Sequence, residues 1–159
     1  LFVRKYSKNI PELNNFISEN FEKSDVGEWL NIIIQAYIKA GDFGAAKTLI
    51  HEQPEGYRKW TELLDLAKSA PDDHARQILT ELYDLSRSAH LVEGHINEDR
   101  QQHMPAWFIA RVGAAQVARG FDQDGLQSLR LSYELAKQSD VSVQASALTE
   151  IATTIQQLH

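Results

Sequence analysis

The stretch HLVEGHINEDRQQH, residues 90–103, is the chain's densest set of groups able to bind a metal or move a proton: His90, Glu93, His95, Glu98, Asp99 and His103. On a helix, His95 and Asp99 would be neighbours four residues apart, and so would Asp99 and His103. Three such ligands can hold zinc and leave one position open for water. Gly94 weakens a helix at that point, and His-x-x-Glu-x-His is not the ligand spacing of a zinc-protease helix. The stretch reads as a hydrated loop carrying ordinary histidines. A metal-binding protein or metal-dependent hydrolase is the alternative it would support.

Other routes to catalysis have less behind them. The serines fall in helices or caps, without the strained elbow that exposes a nucleophile. In GDFGAAKT, Lys47 and Thr48 follow only a Gly-x-x-Gly and a helix, whereas a phosphate loop follows a strand. Glu81, Asp84 and Arg87 read as a solvated helix face. The chain has no cysteine, which excludes a disulfide scaffold, a thiolate zinc site and a cysteine nucleophile. The sequence therefore points to a protein that is not an enzyme and needs no cofactor.

The 159 residues suffice for one domain with a real core, and 43% hydrophobic and 24% charged residues are ordinary for a globular protein. A net charge of −6 argues against nucleic acid as a partner, because such binding needs a basic face to displace counterions. The most apolar run, PAWFIARVGAAQVA, is too short to cross a bilayer and carries Arg111, so no membrane is implied. The chain opens LFVRKYSKN without methionine, as a fragment of a longer protein would. Compartment stays open, with the cytoplasm favoured.

Nearly every segment repeats its apolar residues with the helical period. Leu13, Phe16, Ile17 and Phe21 share one face, behind a Pro11 suited to a first turn. Asp25 and Glu28 have capping-box spacing before the stripe of Trp29, Ile33, Ala36, Tyr37 and Ala40. Gly41 stops that helix, Asp42 can cap the next, and Pro54 ends it. Tyr57, Trp60, Leu63, Leu64 and Ala67 make another stripe up to Pro71, where Asp72 or Asp73 caps a helix burying Ile78, Leu79, Leu82 and Leu85. Pro105 opens a helix closed by Gly120, and two more helices complete the chain. Runs of period two are missing, so no sheet is expected.

Gly41 and Gly120 each end an apolar helix, and each precedes by one or two residues an Asp that can start a second helix. Their separation is two periods of roughly 40 residues. Three helical hairpins follow, near 25–53, 57–89 and 105–137, flanked by helices at 9–22 and 141–158, all in one domain over 1–159. The expected fold is all-α: antiparallel helical hairpins stacked as a short α-solenoid, because one hairpin cannot bury its own apolar face. Small residues should allow close helix contact, at Ala36, Ala40, Ala45 and Ala46 and again at Gly113, Ala114 and Ala118. Trp29, Tyr37, Trp60, Trp107 and Phe108 should dominate the buried area.

Tyr37, Gly41, Asp42, Phe43, Ala46 and Ile50 stand at the spacing of a tetratricopeptide-type repeat, which the first hairpin resembles. The third hairpin keeps Gly113, Gly120 and Leu129, with Gly125 where alanine is typical. The resemblance implies a binding scaffold that takes a protein or peptide in a concave face lined by the first helix of each hairpin. On that reading the partner-binding residues are Glu28, Asn31, Gln35 and Lys39, then Arg58, Thr61, Asp65 and Lys68, a mixed polar groove suited to hydrogen-bonding a peptide. The third hairpin would present Trp107, Ala110, Ala114 and Val117, covered by the 90–104 segment or by the C-terminal helix. A structural domain that self-associates through the Trp107 face is the remaining alternative.

Overall fold

A computed structural model of the chain describes residues 26–54, 56–91 and 105–158. The expected helix at 9–22, the Asp25 cap and the Glu93–His103 segment lie outside the described residues, as do the side chains of Glu28, Trp29 and His90. The described residues form seven helices and no strand: α1 (Val26–Lys39), α2 (Phe43–His51), α3 (Tyr57–Ser69), α4 (Asp72–Leu91), α5 (Ala106–Ala118), α6 (Asp122–Ala136) and α7 (Val141–Gln157). The fold is all-α. None of these helices is long and apolar enough to cross a membrane.

The chain divides into two compact units, residues 1–54 and 55–159. In the first, α1 packs on α2. Ile33, Ile34 and Tyr37 of α1 and Ala46, Leu49 and Ile50 of α2 are buried. In the second, α3 packs on α4, α5 on α6, and α7 against both α5 and α6, while α4 and α3 reach α5. Its core holds Trp60, Leu63, Leu64, Leu66, Ile78, Leu79, Leu82, Phe108, Ile109, Val112 and Leu129.

Local chemistry explains most of the boundaries. Gly41 and Gly120 take φ of 78° and 74°, the left-handed region that costs other residues a clash. At each, the glycine amide donates to the carbonyl three back, Ile38 or Val117 (3.0 and 2.8 Å). The next amide donates to the carbonyl five back, Tyr37 or Gln116 (3.0 and 2.9 Å). These are two copies of one Schellman stop, 79 residues apart. Ala70 is extended because Pro71 follows it, which ends α3.

The starts of the helices differ from the expectation at two places. Asp42 caps α2, its Oδ1 accepting from the Ala45 amide at 3.1 Å. Asp122, by contrast, lies in the first turn of α6, and Phe121 holds the capping position with no side-chain hydrogen bond. Asp72 and Asp73 also lie inside the first turn of α4, where they oppose the positive end of the helix dipole without capping it.

The small residues divide likewise. Ala46 and Gly113 are buried at helix contacts, whereas Ala40 and Ala118 face solvent and Ala36, Ala45 and Ala114 are half-buried. Gly113 of α5 and Gly125 of α6 meet at a close approach of the two helices. A Cβ on Gly125 would lie 2.6 Å from Val117 Cγ2 and 3.0 Å from the Gly113 carbonyl oxygen.

Candidate functional site

A groove of about 440 Å³ opens where α3, α5 and α7 converge. Its floor is Ala114, Ala115 and Ala118 of α5. Lys68 and Arg119 line it near the end of α3, Arg111 rises from α5, and Glu150 and Gln157 come from α7. α5 is apolar almost all round, so it can be buried by α6 on one side and α7 on another and still lend alanine methyls to a floor.

Arg119 is the structural anchor of this corner. Its guanidinium donates to the carbonyls of Ala67 (2.9 Å) and Lys68 (2.5 Å) and to Asp72 Oδ1 (2.9 Å). Carbonyls in the last turn of α3 lack helical partners, so one planar fork closes that end and ties it to the start of α4. Nearby, the Arg76 guanidinium lies 4.3 Å from the centre of the Phe121 ring and 3.9 Å from Asp124. The α3–α4 pair is thereby held to the turn between α5 and α6.

The cations of the groove are unequal. Lys68 pairs with Asp65 at 3.0 Å, and Arg119 is committed to Asp72 and the two carbonyls. Arg111 forms no ion pair among the described residues, and it lines the groove. Glu150 offers a carboxylate and Gln157 an amide from α7. Together they can hydrogen-bond a polar main chain laid over the methyl floor. A nucleophile set beside a base is not part of the groove. Among the described residues no group of three His, Asp or Glu side chains could hold a metal ion.

The sequence-assigned partner residues fall in two rows. Asn31, Gln35 and Lys39 are exposed together on α1. Arg58, Asp65 and Lys68 are exposed on α3, with Thr61 half-buried among them. The α3 row is stitched along its own helix: Arg58 to Glu62 at 2.9 Å, and the Thr61 hydroxyl to the Tyr57 carbonyl at 2.9 Å. Of that row only Lys68 lines the groove.

The face expected on the third hairpin is turned by about one residue. Ala110 and Val117 are buried, Ala110 with Leu129 and Ile151, and the more open edge is half-buried Arg111 and Ala114 with exposed Ala118. Trp107 packs on Ala106, Ala136 and Ala147, so the C-terminal helix covers this face. Its ring also leans on Tyr57 (5.6 Å between centroids) and Phe108 (6.0 Å).

Sequence reasoning missed Arg111, Arg119, Glu150 and Gln157 as groove residues. Arg111 did leave a signal, as the lone charge within an apolar helical run. No protein-family model matches the chain, and no curated protein or solved structure matches it either.

Proposed function

We propose that the chain is a non-enzymatic scaffold, a short tetratricopeptide-like α-solenoid that binds a protein or peptide partner on the face lined by its first helices. The observation that carries this reading is the recurrence of the Gly41 stop at Gly120, hydrogen bond for hydrogen bond. A turn repeated at two periods is what a stacked array of hairpins requires. The groove adds to it: an alanine floor gives an extended peptide room, and Arg111, Glu150 and Gln157 give it polar partners. Asn31, Gln35, Lys39, Arg58, Thr61, Asp65 and Lys68 supply further polar contacts along their helices.

Random-peptide display on the pure full chain tests the reading. Selected peptides should lose at least about ten-fold in recovery on a chain carrying Arg111→Glu and Lys68→Glu. A chain that enriches no peptide, or that keeps them undiminished in the double variant, refutes it.

A further inference from the structure

α3 and α5 are joined at both ends, by contacts of different chemistry. At their first turns the joint is aromatic. The Tyr57 ring stands 5.6 Å from Trp107 and 5.9 Å from Phe108, and Trp60 stands 6.3 Å from Phe108, centroid to centroid. At their last turns the joint is polar: the Arg119 fork on the carbonyls of Ala67 and Lys68. The groove lies at this polar end, with Lys68 and Arg119 in its lining.

The sequence of α3 creates the need for that fork. In a continuing helix the Ala67 carbonyl would accept from the amide of residue 71, but Pro71 has none. The Lys68 carbonyl would accept from Asp72, but Ala70 is extended and Asp72 begins α4. Arg119, at the end of α5, supplies both missing donors. Its side chain is 21% exposed and the Asp72 side chain 75%, so the carbonyls are the better-shielded partners. Apolar packing does less here. After Leu66, the buried side chains at the end of α3 are the methyls of Ala67 and Ala70, a small area beside the rings of the first turns. The contact of Arg76 with Phe121 is made by α4.

We propose that Arg119 is the positioning residue of the groove. By closing the end of α3 onto α5, it sets the distance from Lys68 to the floor of Ala114, Ala115 and Ala118, and so which peptides enter. It acts through the main chain of Lys68 and need not touch the ligand. Without the fork the two carbonyls turn to water. The last turn of α3 then moves off the floor while the aromatic end stays in place. Lysine cannot replace it, because one ammonium on a flexible stem lacks the planar donors that span two carbonyls and a carboxylate. The effect on peptides rests on the peptide-groove reading. The effect on helix spacing does not.

The chain has no cysteine, so paired nitroxide labels report spacing directly. Ser69→Cys with Gln156→Cys spans the polar end, from α3 to α7. Arg58→Cys with Ser146→Cys spans the aromatic end, and all four positions are exposed. Electron–electron double resonance on the full chain should show the first distance longer by about 2 Å in Arg119→Ala and in Arg119→Lys, with the second unchanged. Peptides selected by display on the native chain should fall about ten-fold in recovery on both variants. Asp42→Ala, which removes a helix cap in the first unit, should change neither readout. An unchanged first distance overturns the proposal. So does undiminished recovery on Arg119→Lys, or an equal loss on Asp42→Ala. If the native chain enriches no peptide, the peptide reading fails, and the label distances alone decide whether Arg119 positions α3.

Discussion

The α1–α2 and α5–α6 hairpins turn on the same glycine stop and then pack in different ways. At positions 79 apart, Ile34 and Ala46 of the first hairpin correspond to Gly113 and Gly125 of the other. Tyr37 and Leu49 correspond to Gln116 and Ser128, and Ala40 corresponds to Arg119. Where α1–α2 buries an aromatic ring and a leucine, α5–α6 buries a hydrogen bond, from Ser128 Oγ to Gln116 Oε1 at 2.6 Å. Ser132 adds a second, to the Ala106 carbonyl at 2.8 Å. The turn is written into four or five local residues. The spacing of the helices is set by what lies across the contact, and there two glycines bring α5 and α6 to backbone distance.

The largest effect should come from refilling that contact. Gly125→Leu should cost about 3 kcal/mol in urea unfolding, since neither Val117 nor the Gly113 carbonyl can retreat without moving a helix. Ala46→Gly, the reverse change in the first hairpin, should cost about 1 kcal/mol through lost helix propensity. Equal costs would show that the two contacts are equally close.

Arg119→Ala should cost about 2 kcal/mol, because it frees two carbonyls at the end of α3 as well as Asp72. Asp72→Asn should cost about 0.5 kcal/mol, its carboxylate being largely exposed. A reversed order would place the clasp in the ion pair and not in the carbonyls.

Gln116→Ala or Ser128→Ala alone should cost about 1.5 kcal/mol by leaving a buried polar partner unmet. Gln116→Leu with Ser128→Ala should recover most of that, giving the α5–α6 pair the apolar arrangement of α1–α2. A double-mutant cycle with no coupling would remove the polar pair from the account.

At the turns, Asp42→Ala should cost about 1 kcal/mol as a lost cap. Asp122→Ala, which loses only a dipole contact, should cost a few tenths. Circular dichroism during thermal unfolding separates the two.

The smallest difference is in pH dependence. Burial first, and the charge of Asp42 second, hold the Tyr37 phenol above its ordinary value. A raised acid is neutral when folded, so its contribution is intact below the ordinary tyrosine range and is lost as pH climbs through the folded value. Gln116 cannot titrate. Unfolding midpoints on the alkaline side should fall less for Tyr37→Phe than for the native chain.

The seven described helices were legible in the sequence to within a residue or two. Gly41, Gly120, Pro54 and Pro71 act on neighbouring φ and ψ, and amphipathic stripes such as Trp60, Leu63, Leu64 and Ala67 name their own inner side. The groove was only partly legible. Lys68 is expected in the polar groove and lines it, but α5 is apolar on most of its circumference, so its pattern does not say which strip stays in solvent. Trp107, Ala110, Ala114 and Val117 are expected to form one covered face; α6 and α7 pack on Trp107, while Ala114 stays in the groove.

What the sequence determined alone was the all-helical class, the repeated stop and the absence of cysteine chemistry, because each depends on residue identity or on bonds spanning a few positions. Tertiary structure decided the rest. That two glycines meet, that Arg119 reaches carbonyls some fifty residues away and that α7 shows a charge-free side to solvent follow from how the helices rotate about their axes. That rotation is settled by volume and polar satisfaction across contacts, and a period of 3.6 residues carries no record of either.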